Sequence, residues 1–488
     1  MERFEQWLAD VTGPATTWLS GVNDWVYTWI IIAALVGTGI YLTVATRGVQ
    51  FRHVRTMFSH LRESRKNANG GISSFQAFAM GMATRIGIGN ITGVALAMIL
   101  GGPGALFWMW AVAFFGMATA FAEATLAQIF KQRHGDGSFR GGPATYILYG
   151  TGSKTLANLF AVFMVFSMIV AMPMVQANSI SGVLYGSHNL PLWISGLIIA
   201  SLTAAVLVGG VRGIARATEY ISPIMALAYL FTTVVIIALN IGELPSFFSD
   251  VFASAFGLNE ALAGTAGGIL AAILNGVRRG LFSNEAGMGT NPNAAATATV
   301  NHPVSQGLIQ SLGVFFDTML VSTATGFIIL TSGVVNLQEV GQEASSHITS
   351  DAVSQTLGGW MAVPFSIMIF FFAFSSILGA YAYADANLVF MGLTSRRWQI
   401  GSRVVAVACS GIGAVLALPF VWTLMDSAMA VVTLLNLIGV IALSKWVTAA
   451  LRDYEKQQGS ESEISFEPAN AGLPGRIATD GWVTSNRT

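Results

Sequence analysis

Long apolar stretches separated by short polar segments run along the chain from residue 25 to residue 447. Windows of about 19 residues, the length used to find membrane-spanning helices, identify candidate spans at 25–46, 72–100, 103–130, 155–185, 191–209, 219–241, 261–300, 304–331, 356–391, 402–420 and 422–447. Each is long enough to cross the hydrocarbon layer of a bilayer as a helix. The pattern therefore predicts an all-α integral membrane protein with eleven transmembrane helices.

Basic residues concentrate in alternate connections between these spans. The connections that carry them lie at 47–71, 131–154, 210–218 and 392–403, and the tail after residue 447 also contains them. The stretches 242–260 and 332–355 contain acids and neither lysine nor arginine. Because basic loops stay on the cytoplasmic side, the sequence predicts an external N-terminus and a cytoplasmic C-terminus.

This topology divides the chain into seven predicted segments. They are an extracytoplasmic segment at 1–24, an extra N-terminal transmembrane helix at 25–46, a basic amphipathic cytoplasmic segment at 47–71, five-helix units at 72–241 and 261–447, an external loop at 242–260 and a disordered cytoplasmic tail at 448–488. An ordinary charged loop is the alternative for the basic segment. The tail is polar and acidic, which is typical of disorder.

Composition narrows the class of protein. Of the 488 residues, 53% are hydrophobic and 10% are charged, whereas a soluble domain carries about 25% charged residues. A soluble enzyme is therefore excluded, and the lipid bilayer is the predicted surrounding. A single cysteine, Cys409, excludes a disulfide framework and a multi-cysteine metal site. No phosphate-binding loop motif is present, and nothing indicates an organic cofactor, a nucleic-acid partner or an obligate protein partner.

A shift of 200 residues aligns two glycine-rich segments. RIGIGNITGVA at 85–95 then lies on EAGMGTNPNAA at 285–295, with Gly87 on Gly287 and Gly89 on Gly289. Each segment falls inside a span, and each belongs to a unit of five spans. Because five is odd, the second unit must enter the membrane from the opposite side, which predicts an inverted repeat of the kind found in many secondary transporters.

Two glycines within three residues disfavour a continuous helix, since glycine in a helix interior costs about 1 kcal/mol relative to alanine. Asn90 follows the first pair, and Thr290 and Pro292 follow the second. We therefore expect two broken helices, whose free N–H groups suit a carboxylate and whose free C=O groups suit a cation such as sodium. Close helix packing through small residues is the alternative.

Two opposite charges also coincide in this alignment, Arg85 and Glu285. Both lie deep in a span, where an unpaired charge costs about 3 kcal/mol or more. We hypothesise that they form a buried ion pair that ties the broken helices together. In the alternative, Glu285 pairs with Arg278 or Arg279.

Other polar residues within spans are candidates for binding. Ser375 and Ser376 could supply hydroxyl ligands to a cation beside carbonyls freed at Gly87, or bond back to their own helix. Gln176 and Asn178 could reach a substrate, or could join helices. Intramembrane acids are functional candidates by default, although each could instead cap a helix or pair with an arginine; they are Glu123, Asp317, Asp385 and Asp426.

RGLFSNEAGMGTNPNAAATA at 279–298 resembles the signature of the alanine or glycine:cation symporter family. RIGIGNITGVALAMILGGPGALFWMW at 85–110 is similar to the family's first broken helix and the turn after it, and GGPATYI at 141–147 and FAFSSILG extend the likeness. The resemblance implies a leucine-transporter-like fold of ten core helices, an inverted repeat of five and five, with one extra N-terminal helix. It also implies sodium-coupled uptake of small neutral amino acids across a prokaryotic cell (inner) membrane.

The family's substrate-binding positions carry over by motif. They imply substrate contacts at Gly87, Ile88, Gly89, Asn90, Gln176, Gly287, Met288, Gly289, Thr290, Ser376 and Ala380, and cation contacts at Gly87, Ser375 and Ser376. Two of these depart from the family pattern, because Ile88 replaces a usual threonine and Ala380 replaces a usual tryptophan. Loss of a large aromatic wall predicts a roomier pocket that admits glutamine, unless Phe374, Tyr381 or Tyr383 fills the space.

Together these features predict a sodium-coupled symporter that works by alternating access. A carrier of another zwitterion or of a nucleobase is the runner-up. A channel is disfavoured because a conducting pore needs rings of repeated ligands, and a membrane enzyme would need a catalytic constellation that the sequence lacks.

Overall fold

The computed structural model describes residues 2–63, 72–134, 138–258, 268–333, 337, 339–458 and 464–482, without the side chains of residues 2–10, 63, 210–220, 222 and 223. The α-helices are α1 Glu2–Val26, α2 Ile32–Ala45, α3 Val49–Arg52, α4 Val54–Glu63, α5 Ser74–Arg85, α6 Thr92–Gly101, α7 Ala105–Ile129, α8 Pro143–Tyr146, α9 Lys154–Phe166, α10 Met172–His188, α11 Leu192–Val208, α12 Gly210–Leu239, α13 Leu244–Ala255, α14 Gly268–Asn284, α15 Pro292–Ala295, α16 Pro303–Val314, α17 Thr323–Thr331, α18 Ile348–Leu357, α19 Ala362–Phe390, α20 Arg396–Gly413, α21 Leu418–Ala442 and α22 Ser444–Gln457. Short π-helical turns lie at Tyr27–Ile31, Ile147–Thr151, Ser167–Ala171 and Phe315–Ser322, and 3₁₀ turns at Ile88–Asn90, Ile241–Glu243, Gln342–Ser346 and Gly359–Met361. Strands β1 Gln132–Arg133 and β2 Phe139–Arg140 form an antiparallel hairpin.

Among the described residues, six helices are long and apolar enough to cross a membrane, and two bent helix pairs bring the number to eight. An all-helical membrane protein is therefore confirmed, whereas eleven crossings stays a prediction. The first helix begins well before the predicted boundary, because residues Val11–Ala45 form one long helix. The predicted segment at 1–24 is therefore helical from residue 2 onward, since a π turn at Tyr27–Ile31 joins α1 to α2 without a break, and its extracytoplasmic location stays a prediction.

The first predicted break is present. Helix α5 starts with a capping box, in which the Ser73 hydroxyl accepts from the Gln76 amide and the Gln76 side chain accepts from the Ser73 amide. It ends at Arg85, and after Ile86 and Gly87 the chain turns through Ile88–Asn90 before α6 begins. The two halves are bent by 54°.

The second predicted break lies between α14 and α15. Here Glu285, Gly287 and Gly289 all adopt positive φ angles, of 55°, 90° and 77°. Glycine accepts such angles without steric cost, but a glutamate there is strained. Both helices are therefore interrupted at the paired glycines, as the sequence predicts.

The two broken helices meet just before the start of the first and just after the end of the second. Ile72, just before α5, forms a parallel bridge with Ala298, which follows α15. The Thr299 amide donates to the Ile72 carbonyl at 2.9 Å. We call this contact of Ile72 with Ala298 and Thr299 the joint. Helix α7 packs along both α14 and α16 and so supports the joint.

Two predictions about the polar segments need correction. The predicted loop at 242–260 contains helix α13, which is bent by 82° from α12. The predicted disorder of 448–488 is wrong for the described part, because α22 continues to Gln457 and residues 464–482 pack against the bundle. Residues 64–71, 261–267, 459–463 and 483–488 of the predicted segments lie outside the described residues.

Candidate functional site

The first break lies directly against the last turn of α14. A Cβ atom added at Gly89 would lie 2.9 Å from Phe282 Cδ1 and 3.1 Å from Ser283 Cα. Such distances are shorter than normal carbon contacts. Gly89 is therefore required for the close approach of the two broken helices, which is the packing role that the sequence left open.

The predicted cation ligands come together at the end of α5. The Ser376 hydroxyl lies 3.0 Å from the Ala83 carbonyl oxygen and 3.5 Å from that of Thr84, and Ser375 lies 3.5 Å from the former. Both serines also lie within hydrogen-bond distance of the Phe372 carbonyl of their own helix, so bonding back to the helix is present and cation binding stays a prediction. A Cβ at Gly87 would lie 2.5 Å from Ser376 Oγ. Hydroxyl and carbonyl oxygens thus converge at the first break.

Gln176 faces the same break, whereas Asn178 does not. A Cβ at Gly87 would lie 3.5 Å from Gln176 Nε2. The Gln176 amide donates to the Met172 sulfur at 3.3 Å, and its buried Oε1 has no hydrogen-bond partner among the described residues. Asn178 donates instead to the carbonyls of Gly413 and Leu416, at 3.1 and 2.7 Å, and therefore joins helices.

The predicted ion pair between Arg85 and Glu285 is not formed within the described part of the chain. The Glu285 carboxylate accepts from Thr290 at 2.6 Å and from Thr84 at 3.3 Å. Arg85 Nη1 donates to the Gln310 carbonyl at 3.1 Å. The prediction of a salt bridge is wrong, because the two hydroxyls donate to Glu285 Oε2 and α16 accepts from Arg85 Nη1. Glu285 Oε1 and Arg85 Nε and Nη2 have no hydrogen-bond partner among the described residues.

Neither alternative partner holds Glu285. Arg278 pairs with Asp24 at 2.7 Å, and Arg279 pairs with Asp426. Glu285 therefore links the breaks through the Thr84 and Thr290 hydroxyls rather than through an arginine.

The peptide groups of the second break are held by the protein itself. The Gly287 amide donates to the Glu123 carboxylate at 3.2 Å, and the Asn436 side chain donates both to Glu123 and to the Gly287 carbonyl. Tyr146 donates in turn to the Asn436 amide oxygen. The expected free cradle at Gly287 is therefore wrong, because an acid from α7 and an amide from α21 already satisfy those groups.

The two glycines of the second break pack against other helices than those of the first break. A Cβ at Gly287 would meet Leu35 at 2.9 Å, and one at Gly289 would meet Pro143 at 2.8 Å. Met288, like Ile88 of the first break, is fully buried. These positions pack the break against α2 and α8.

A buried carboxylate, Asp317, forms a second polar centre beside the first break. The Asn90 amide donates to Asp317 Oδ1 at 2.7 Å, and the Ser283 and Thr318 hydroxyls donate to Oδ2 at 2.6 and 2.8 Å. Ser322 Oγ lies 3.3 Å from both Asn90 Nδ2 and Ser283 Oγ. No lysine or arginine forms a salt bridge with Asp317 within the described ranges, and Asn90 Oδ1 lacks a partner there.

Of the three aromatic residues that could fill space beside Ala380, one reaches the first broken helix. The Tyr383 hydroxyl lies 3.1 Å from Thr84 Oγ1 and so reaches the first broken helix. Tyr381 instead contacts Ser402, and Phe374 stacks on Phe370. Ala380 itself is buried one helical turn after Ser376 on α19.

The other intramembrane acids have structural partners. Asp426 on α21 forms a buried ion pair with Arg279, whose guanidinium lies 4.3 Å from the Trp422 ring centroid. Asp385 lies 3.9 Å from Arg140. Of the alternatives that the sequence left open for these two acids, the structure shows pairing with an arginine.

Sequence reasoning flagged Asp317 and Glu123 as acids but did not assign them a place in the site. Ser283, Thr318 and Ser322 were missed entirely. The only sequence signal for these three residues is a small hydroxyl side chain near an intramembrane acid, in SNEAG at 283–287 and FFDTMLVS at 315–322. Such residues also join helices in ordinary membrane bundles, so only their convergence distinguishes them.

Comparisons with known proteins agree with this architecture. The sequence profile of the "Sodium:alanine symporter family" matches residues 13–468. The chain is 40% identical over 448 residues to the "Probable sodium/glutamine symporter GlnT" of Bacillus subtilis (strain 168), covering 91% of each chain. It is 35% identical over 421 residues to the "Sodium/proton-dependent alanine carrier protein" of Bacillus sp. (strain PS3), covering 84% of this chain and 94% of that protein.

A solved structure of a Na⁺-coupled sialic acid symporter in a substrate-bound outward-open state matches 89% of this chain and 93% of that one, with a TM-score of 0.48 and 13% identity. This similarity is too low to transfer the roles of residues. The family profile and the two bacterial relatives cover nearly the whole chain. The chain therefore belongs to the sodium:alanine symporter family and is a multi-pass membrane transporter rather than an enzyme.

Proposed function

We propose that this protein is a sodium-coupled symporter of small neutral amino acids that works by alternating access. The amino acid binds beside the first break, near Gly87, Gln176 and Ser376. The proposed orientation in a bacterial cell membrane places the N-terminus outside and the C-terminus in the cytoplasm. Inverted halves of five helices each would then exchange access to the site from one side to the other.

The Asp317 centre is the observation that carries sodium coupling. Ionised acids are costly inside a membrane unless a cation or a proton accompanies them. Asp317 has hydroxyl and amide neighbours from both broken helices, Asn90 and Ser283, but no basic partner among the described residues. Oxygen ligands of this kind suit sodium, and binding there would stabilise the approach of the two breaks.

The chemistry around Gly87 fits a zwitterion. The unpartnered Gln176 Oε1 can accept from an ammonium group, and the N-terminus of α6, which follows the first break, favours a carboxylate. Hydroxyls of Ser375 and Ser376 with the Ala83 carbonyl suit a second cation. Because the protein itself occupies the peptide groups of Gly287, we assign the carboxylate to the first break.

The test is uptake by the purified full-length chain in proteoliposomes. An inward sodium gradient should drive accumulation of labelled alanine, and Asp317→Asn should abolish the dependence on sodium. Asp385→Asn, which removes a carboxylate that lies 3.9 Å from Arg140, is the matched control and should retain it. Uptake that is indifferent to sodium in the unaltered chain would contradict the proposal.

Substrate size is tested separately by competition with alanine, glycine, glutamine and methionine. Ala380 leaves room that a large side chain would otherwise fill, so glutamine should compete with alanine. Ala380→Trp should remove competition by glutamine while retaining that by alanine, since a tryptophan buries about 150–250 Å². Competition by alanine and glycine alone would show that Tyr383 already closes the pocket.

A further inference from the structure

The described tail, residues 464–482, forms a strap across one face of the helix bundle. Ser465 first exchanges two hydrogen bonds with the Gln457 side chain of α22, both at 2.9 Å. The Phe466 amide then donates to the Asn301 carbonyl at 2.9 Å. The last contact of the strap is a bond from Trp482 Nε1 to the Gln128 carbonyl, at 2.8 Å. The strap therefore connects the chain after the second broken helix to the end of α7.

The surface under the strap is the joint between the two broken helices. Gln128 Nε2 donates to the carbonyls of Ala295 and Ala298, at 2.5 and 3.0 Å, and Lys131 Nζ donates to Ala298 at 3.3 Å. Ala298 is also the residue that pairs with Ile72, at the start of the first broken helix. Gln128 and Lys131 thus hold the joint from one side and the strap from the other.

Aromatic rings make the strap fit this surface closely. The Lys131 ammonium lies 4.3 Å from the Trp482 ring centroid and 4.1 Å from that of Phe139. The Phe466 ring packs at 4.8 Å against Trp482 and at 5.1 Å against His302. A Cβ at Gly481 would lie 2.6 Å from Lys131 Cγ, so the backbone of the strap approaches the bundle as closely as a glycine permits.

We propose that the strap is an intramolecular latch that keeps the joint closed and must undock before a substrate can leave on this face. This inference rests on the proposed function, because alternating access requires the two helix halves to separate at one face and then at the other. The halves that begin at Ile72 and end near Ala298 are the ones that the strap holds together. Its role is regulatory, since none of its residues contacts the candidate binding site.

The experiment measures opening of the joint directly. In full-length protein with Cys409→Ala, the substitution Ala298→Cys places a thiol at a fully buried position, and its reaction with a maleimide reports opening. Trp482→Ala and Phe466→Ala remove the two rings, and Trp482→Phe keeps a ring without the hydrogen bond. Trp398→Ala, at an exposed indole on α20, is the matched control.

The parent is the protein that carries only Cys409→Ala and Ala298→Cys. We expect the two alanine variants to label about tenfold faster than the parent, because the labelling rate follows the population of the locally opened state. Trp482→Phe should label at an intermediate rate. Trp398→Ala should label at the parent's rate. Equal labelling in all variants would overturn the latch. An alanine variant that is also misfolded would be recognised by its elution profile, and the other ring variant and Trp482→Phe would then decide.

The two proposals fail in distinguishable ways. Maleimide labelling needs no substrate, so faster labelling without sodium-driven alanine uptake by the parent would contradict the proposed function and leave the latch supported. Sodium-driven uptake with unchanged labelling would contradict the latch alone.

Discussion

Because Gly89 has no side chain, the two broken helices can approach each other closely at this position. Gly89→Ala would force a Cβ to within 2.9 Å of Phe282, and overpacking of this kind costs about 1–3 kcal/mol. We expect a lower melting temperature and loss of sodium-driven alanine uptake. Gly37→Ala, where nothing lies within 4 Å of the added Cβ, should be neutral or stabilising by about 0.5–1 kcal/mol. Equal effects of the two variants would contradict this account.

Lys131 makes the stability of the strap region depend on pH. Burial lowers the pKa of its ammonium from 10.5 to about 7. Between these values an exposed lysine holds a proton that the buried one has lost, so the folded state gains stability as the pH rises from 7 towards 10.5. Below pH 7 both states are protonated and this contribution is at its minimum.

Melting temperatures at pH 7 and pH 9 therefore separate Lys131 from other titrating groups. The parent should gain stability over this interval relative to Lys131→Met, which carries no titrating group at that position. Parallel pH profiles for the two proteins would exclude the assignment.

At the scale of elements, the buried pair Arg279–Asp426 connects α14 to α21. Removing one partner leaves an uncompensated buried charge and should cost about 3–5 kcal/mol. Arg279→Met combined with Asp426→Leu should recover part of that loss. The control is Arg278–Asp24, whose carboxylate side chain is 59% exposed, where separation should cost about 0–1 kcal/mol. Additive losses in the buried pair, measured by a double-mutant cycle on unfolding, would contradict the coupling.

The elements also show where sequence reasoning succeeded and where it did not. The broken helices were predictable because paired glycines at Gly87/Gly89 and Gly287/Gly289 act on their own backbone. The absence of an ion pair between Arg85 and Glu285 was not predictable, because Thr84 and Gln310, which bind these side chains instead, become their neighbours only when helices pack. A charge in a span demands a partner, but the sequence does not say which one.

At the scale of the whole molecule, the N-terminal helix α1 packs against α21. Asn23 donates to the Thr423 carbonyl at 2.9 Å and accepts from Ser427 at 2.9 Å. Asn23→Ala should therefore lower the free energy of unfolding by about 1–3 kcal/mol, because buried groups are left unpaired. Asn240→Ala, whose side chain bonds only to Ile236 of its own helix, should have a smaller effect. Equal losses of unfolding free energy in the two variants would show that the hydrogen bonds of Asn23 to α21 do not stabilise the protein.

The amino-acid sequence by itself determined the membrane class, the two interruptions and the family, because hydrophobic length and glycine geometry are local properties. Tertiary structure decided which groups contact the buried acids. It brought Asp317 to Asn90 and Ser283, gave the amide of Gly287 to Glu123, and packed a polar tail that composition assigned to disorder. These outcomes depend on side chains far apart in sequence, and their energies arise only when burial removes water from the groups that remain together.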